Sequence, residues 1–224
     1  FNTSEISSPG SPPGYPGGIE EFIESLNLSV NNNKIEPYSH QKDAVLHSIK
    51  NGRSLLLSPT GSGKSLIIYI LLRYYLSIIP KDKKILIVVP TTSLVSQLFS
   101  DFKDYSSLNG WDVEENVHKI FSGQSKETNK QVVISTWQSL YKIDPRYFRD
   151  FEVAFGDECH LFKAKSLTGL MEKLTNAKYR FGTTGTLDGS KTHKLVVEGL
   201  FGLVFKTTTT KDLMEKDLLS QLEI

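Results

Sequence analysis

At 224 residues, 38% hydrophobic and 23% charged, the chain is long enough for one generous soluble domain with appendages. Twenty-six Lys and Arg against 25 Asp and Glu leave a net charge of +1, which excludes a molecule-wide field for nucleic acid and makes any such contact local. No apolar stretch nears the roughly 18 residues of a membrane span, and the single cysteine, Cys159, excludes an internal disulfide. A reducing cytoplasm fits this usage, and a small buried filler is the expected role of Cys159. The start at Phe1, without a basic region leading into an apolar core, reads as a piece of something longer with no signal peptide.

Residues 7–18 are rich in Ser, Pro and Gly and read as a linker; with the segment that follows they make an expected arm over 1–34. Within it Ile19, Phe22, Ile23 and Leu26 recur at helical spacing, and Asn31-Asn32-Asn33 reads as a loop. A helix is expected after Pro37, ending near Asn51-Gly52. Leu55-Leu56-Leu57 then forms a strand, the run from Leu66 to Leu72 a helix, 85–89 a strand and 93–105 a helix. Further strands are expected near 117–121, 131–135, 152–156 and 180–184. Apolar strands alternating with helices imply an α/β fold, with a mostly parallel sheet covered on both faces. Ligands of such a sheet gather at the carboxyl ends of its strands.

Between the first strand and its helix lies Ser58-Pro59-Thr60-Gly61-Ser62-Gly63-Lys64-Ser65. A glycine loop opening a helix is a phosphate cradle: Thr60, Gly61, Ser62 and Gly63 bring backbone N–H groups to phosphate oxygens, and Lys64 reaches the β and γ phosphates. Ser65 can ligate Mg²⁺ at the positive helix end. ATP with Mg²⁺ is the expected ligand. The general P-loop pattern carries Gly where this chain has Ser58, so the strict match fails at that position. At the end of the apolar strand 153–155 stands Gly156-Asp157-Glu158-Cys159-His160. Asp157 is placed to hold the Mg²⁺ of the bound triphosphate, and Glu158 to orient and deprotonate an attacking water. His160 lies beyond them, where it can sense the γ phosphate or a facing domain.

These segments together resemble the first RecA-like lobe of a superfamily 2 helicase of the Asp-Glu-x-His group. Gln41, in Tyr38-Ser39-His40-Gln41, resembles that family's adenine-reading glutamine; an exposed helix glutamine is the alternative. Pro90, Thr91 and Thr92 resemble a segment that holds strand phosphates by hydroxyls and helix-end amides, although a simple N-cap uses the same residues. Gly123 in Phe121-Ser122-Gly123, with Thr136, Trp137 and Gln138, resembles two further backbone-contact segments. Trp137 suits either a base stack or the core. Thr184, Gly185 and Thr186 stand where the family links its ATP site to strand movement, with Gly185 a variant there. Spacers such as 84–97 and 201–216 are similar to phage recombination and repair motors of this family.

The resemblance implies a RecA-like lobe over 35–206 and a connection over 207–224 toward a second lobe bearing an arginine finger. It also implies ATP-driven remodelling of branched DNA, or of R-loops containing RNA, in the cytoplasm of an infected bacterium. The motor subunit of a restriction system uses the same first-lobe segments, and a non-catalytic, nucleotide-dependent docking module is the rival of another class.

Overall fold

The computed structural model describes residues 17–121, 123–162, 164–187 and 191–215. The chain enters through helix α1 (Gly18–Ser25) and a hairpin of two short strands, β1 (Ser29–Val30) and β2 (Asn33–Lys34). α1 turns Phe22 and Ile23 inward, and Phe22 meets Tyr74 edge-on at 5.8 Å. Where the sequence suggested only a loop, Asn31 and Asn32 take φ of 51° and 60°. A two-residue turn with both φ positive matches the twist of paired strands, and asparagine tolerates that region better than most residues. Ser29 Oγ donates to Asp104 O at 2.7 Å and Asn109 Nδ2 to Leu26 O at 2.6 Å. The expected arm therefore carries its apolar residues into the main core; the linker over 7–18 lies almost wholly outside the described residues.

From here helices and strands alternate: α2 (Ser39–Asn51), β3 (Arg53–Leu57), α3 (Lys64–Ile78), β4 (Lys84–Val89), α4 (Thr92–Tyr105) and the short α5 (Val113–Asn116). There follow β5 (Val117–Ile120), β6 (Val132–Thr136), α6 (Trp137–Leu140), β7 (Phe151–Gly156), α7 (Ala164–Lys173), β8 (Tyr179–Thr184), α8 (Lys191–Phe201), β9 (Val204–Lys206) and α9 (Thr210–Glu215). Strands β3 to β9 form one sheet in the order β5-β6-β4-β7-β8-β3-β9, and every pairing is parallel. The expected strands are all present; β9, only three residues long, carried no readable alternation.

Successive residues of each strand enter opposite cores, which is why the strands read as continuous apolar runs. Ile85, Ile87, Val89, Val153 and Phe155 face the helices α1 to α4, while Leu86, Val88, Val133 and Ala154 face α6 to α8. α3 lies between the sheet and the outer helices, so it is apolar almost all round, with nine residues from Leu66 to Tyr75 buried. α3 leaves β3 and returns at β4, three strands across the sheet, with β8 and β7 between. The loops after β3, β7 and β8 thereby share one carboxyl edge, and those after β4, β5 and β6 share the adjoining one.

Candidate active site and adjoining cleft

The loop after β3 closes through two left-handed glycines, Gly61 (φ 81°) and Gly63 (φ 77°). At Gly63 a Cβ would lie 2.2 Å from Gln41 Nε2, so only glycine allows the loop to pass α2 so closely. α3 begins at Lys64, and the amides of its first residues have no intrahelical acceptor, leaving a partial positive charge aimed out of the helix. Lys64 Nζ reaches across the edge to Glu158 Oε1 at 3.0 Å and also donates to Ser58 O at 3.3 Å. The P-loop lysine and the strand-end acid, 94 residues apart in sequence, thus form one ion pair.

Asp157 is 6% exposed. Its Oδ1 accepts from Thr183 Oγ1 and from Glu158 N (2.9 Å), which leaves Oδ2 without a hydrogen-bond partner among the described residues. Burial pushes this carboxyl above its ordinary value and the Glu158 charge adds to that; the Thr183 hydrogen bond and Lys64 act the other way. Glu158 holds φ 50° and ψ 49°, a left-handed conformation uncommon outside glycine and asparagine, which aims its side chain back over the sheet edge. Its Oε2 is buried without a hydrogen-bond partner, with His160 Nδ1 3.3 Å away. Thr184 Oγ1 donates to Thr186 O at 2.7 Å, so the 2.9 Å contact with His160 requires Nδ1 to carry the proton. His160 is therefore fastened to the end of β8. A Cβ on Gly185 would sit 3.9 Å from Lys64 Nζ and 4.0 Å from Glu158 Oε2, which places this segment beside the ion pair.

Beside the ion pair opens a cavity of about 660 Å³ walled by Thr60, Leu94, Glu158, His160, Gly185 and Met214 among others. An orphaned buried carboxylate oxygen beside a lysine fits a bound water and the phosphate it would attack. For Mg²⁺ the fit is partial: Asp157 offers Oδ2, but Ser65 Oγ is engaged 2.7 Å from Tyr105 Oη, away from the acids. Tyr105 is buried enough to raise its hydroxyl to about 12, so it stays a neutral partner. Ser65 also hydrogen-bonds the Asp101 carboxyl, so both its neighbours on α4 compete with a metal for it. Gln41 also departs from expectation. It is buried, its Oε1 accepts from Tyr38 N (2.9 Å) and its Nε2 donates to Ser62 O (2.9 Å), so its amide caps α2 and braces the loop. Cys159 is the expected buried filler, with Sγ donating to Gly156 O and its thiol pushed well up by burial.

A second cleft, of about 620 Å³, lies over β4 to β6 and gathers Pro90, Thr91, Thr92, Gly123, Thr136 and Gln138. Thr91 caps α4 by accepting from Leu94 N (3.3 Å), and Gln138 Nε2 donates to Pro90 O (3.3 Å), tying two of the expected contact segments together. Trp137 does not join them. It packs against the core beneath α6 and meets Tyr141 edge-on at 6.3 Å, whereas the next residue, Gln138, is exposed and lines the cleft. Exposed Lys126 and Lys142 also line the cleft and supply the cations that the sequence reading lacked; isolated lysines in loops carry no pattern by which to find them.

A phosphate loop facing an acid pair on the carboxyl edge of a parallel sheet defines a RecA-like P-loop lobe. The chain belongs to the family described as the type III restriction enzyme, res subunit, which matches residues 34–189. It is 38% identical over 210 residues to the ATP-dependent DNA helicase uvsW of Enterobacteria phage T4, covering 92% of this chain and 41% of that protein. It is 27% identical over 168 residues to the DNA 3'-5' translocase XPB2 of Sulfurisphaera tokodaii, covering 75% and 34%. A crystal structure of the UvsW helicase from bacteriophage T4 matches with a TM-score of 0.76 at 36% identity, over 88% of this chain and 70% of that one. The chain spans about two fifths or less of the length of these curated relatives. A match over 92% of the chain also extends into residues before Ile35.

Proposed function

We propose that this chain is the nucleotide-binding lobe of an ATP-dependent DNA motor that remodels branched DNA or R-loops in recombination and repair, in the cytoplasm of an infected bacterium. The observation that carries the reading is the Lys64–Glu158 pair at 3.0 Å, with Asp157 beside it. The printed activity of the T4 relative, an ATP-dependent DNA helicase, supports the substrate. The family's description names a restriction subunit, but the similarity to a phage helicase favours the motor of recombination.

ATP phosphates entering the loop meet the amides at the start of α3, and Lys64 turns from Glu158 to the γ phosphate. That release frees Glu158 Oε1, so the base is unmasked only when phosphate is present. Glu158 then orients a water for in-line attack and takes its proton, while Lys64 balances charge on the transferring phosphoryl group. Mg²⁺, when bound, would neutralise the β and γ oxygens, held through Asp157 Oδ2 and through Ser65 once it leaves Tyr105 and Asp101. His160 and Thr184 connect this chemistry to the end of β8. In the second cleft the α4 N-terminus, Thr91, Thr92, Lys126 and Lys142 would hold strand phosphates. A second lobe closing on the cavity would add an arginine, which in related phosphoryl-transfer enzymes is worth about 10³ to 10⁵ in rate.

The test compares this chain with a longer form carrying the second lobe, measuring ATP hydrolysis with and without forked DNA at low and moderate salt. The longer form should show DNA-stimulated hydrolysis and strand separation; the lobe alone should bind ATP and hydrolyse little. Strong unwinding by the 224-residue chain would refute the two-lobe mechanism.

A further inference from the structure

The P-loop pattern has glycine where this chain has Ser58, and the structure gives that hydroxyl a purpose. Ser58 is fully buried, a position where an unpaired hydroxyl would be costly. Thr207, just after β9, donates its Oγ1 to Ser58 Oγ at 2.9 Å, with Leu57 O 3.2 Å away as a second acceptor. Ser58 Oγ lies 2.6 Å from Ser62 Oγ, and Ser62 Oγ donates to Pro59 O at 2.6 Å. With the protons of Thr207 and Ser62 committed, the proton of Ser58 points to Ser62. Three hydroxyls thus run in one direction from the end of β9 into the middle of the phosphate loop, an arrangement in which each bond polarises the next.

The same Ser62 is held from the other side. Its carbonyl accepts from Gln41 Nε2 at 2.9 Å and is 3.1 Å from His40 Nε2. Ser62 is the loop residue between the two left-handed glycines, so its position sets where the flanking amides aim. Helix α2 fixes its carbonyl, and Thr207, through Ser58, fixes its side chain. The backbone of Thr207 is itself pinned, with N donating to Leu57 O at 3.0 Å, and the helix it leads into contributes Thr210 and Met214 to the cavity wall.

We propose that Thr207 is a positioning residue of the phosphate loop, acting through Ser58 on Ser62, so that β9 and α9 belong to the nucleotide cradle. This rests on reading the loop as a triphosphate site. In an ordinary P-loop glycine leaves this point mute; here the departure from the pattern makes the loop's shape depend on the segment that follows the sheet.

The experiment titrates Mg²⁺ and ATP into the chain and into Thr207→Val, Thr207→Ser, Ser58→Ala and Ser58→Gly, following melting temperature in parallel. Loss of one hydrogen bond in the relay should weaken ATP binding by about 2- to 10-fold in Thr207→Val and in Ser58→Ala. Thr207→Ser should bind as the parent does. In a Ser58→Gly background Thr207→Val should cost nothing further, since the path to Ser62 is already cut. A purely structural Thr207 would lower the melting temperature equally in both backgrounds and leave ATP affinity alone, which overturns the proposal, as do additive losses. Should Thr207→Val not fold, Ser58→Ala decides: it leaves the Thr207 bond to Leu57 O in place, and unchanged affinity there is equally fatal. Failure of the parent chain itself to bind ATP would instead remove the triphosphate reading, and this proposal with it.

Discussion

The cavity over β3, β7 and β8 and the cleft over β4 to β6 have nearly the same volume and lie on adjoining edges, yet they are built oppositely. Around the cavity and in the loop behind it the polar groups grip one another: Lys64 holds Glu158, Ser65 holds Tyr105, Thr183 holds Asp157, and Gln41 holds the loop. In the cleft the hydroxyls make local caps, one amide joins Gln138 to Pro90, no ion pair is formed among the described lining residues, and the cations Lys126 and Lys142 extend into solvent. A ligand entering the cavity must exchange internal partners for its own, which makes binding a switch. A strand entering the cleft only adds contacts, which makes binding graded and salt-sensitive.

The comparison breaks most readily at Glu158. In the longer form with both lobes, Glu158→Gln keeps shape but cannot take a proton, so turnover should fall by about 10² to 10⁴ while ATP still binds. Steady-state hydrolysis beside nucleotide titration checks this, and equal turnover would move the base elsewhere. Lys64→Ala should cost about 10² to 10³ in turnover together with most of the ATP affinity, with the fold retained, because the lysine sits at an edge and contributes charge instead of packing. A variant that binds ATP as the parent does would end the phosphate-cradle assignment.

The cleft should answer differently. Removing Lys126 and Lys142 together should weaken DNA binding uniformly across sequences and flatten the salt dependence by about one unit of slope per lysine, leaving DNA-free ATP hydrolysis intact. Binding measured from low to moderate salt decides it; an unchanged slope would mean the strand runs elsewhere. Smaller again is Tyr105→Phe. Removing the Tyr105 contact, with Asp101 still facing Ser65, should lower the Mg²⁺ needed for half-maximal hydrolysis by the longer form by about 2- to 10-fold, the size of one hydrogen bond. A raised requirement would show that Tyr105 supports the metal ligand instead of restraining it.

How much of this was legible in the sequence follows the same division. Glycine spacing, a lysine at a helix start and paired acids at a strand end are dictated by phosphate chemistry, so Gly61, Gly63, Lys64, Asp157 and Glu158 could be read directly. What they touch could not be read, because partners come from distant segments: Tyr105 takes Ser65 from the far end of α4, and Thr207 joins Ser58 across 149 residues. Gln41 looked free for a base because its two backbone partners are set by the loop's closure. Trp137 was ambiguous since one residue of phase on a four-residue helix decides between cleft and core. The alternating order of strands and helices predicted the parallel sheet, whereas the Asn31-Asn32 hairpin was hidden by a pairing only two residues long.

The last test asks whether the cavity carries a cost the cleft does not. Asp157 is buried, and its carboxyl is raised mainly by that burial, so ionising it is harder in the folded chain than in the unfolded one. A group whose folded value lies above its unfolded value contributes stability below the ordinary carboxylate range, and that contribution disappears as pH rises through the raised folded value. At neutral pH the charged Asp157 is therefore a burden on the nucleotide-free fold. Asp157→Asn is never charged, and its side-chain oxygen can still accept from Thr183 and Glu158 N. Its melting temperature should exceed that of the parent at pH 7 and converge with it as pH falls into the ordinary carboxylate range, near about 4. Lys126→Ala and Lys142→Ala, exposed and unburdened, should show no such crossing. A less stable Asp157→Asn at pH 7 would mean that the attraction of Lys64 outweighs burial, and that the cavity is held together by its charges instead of strained by them.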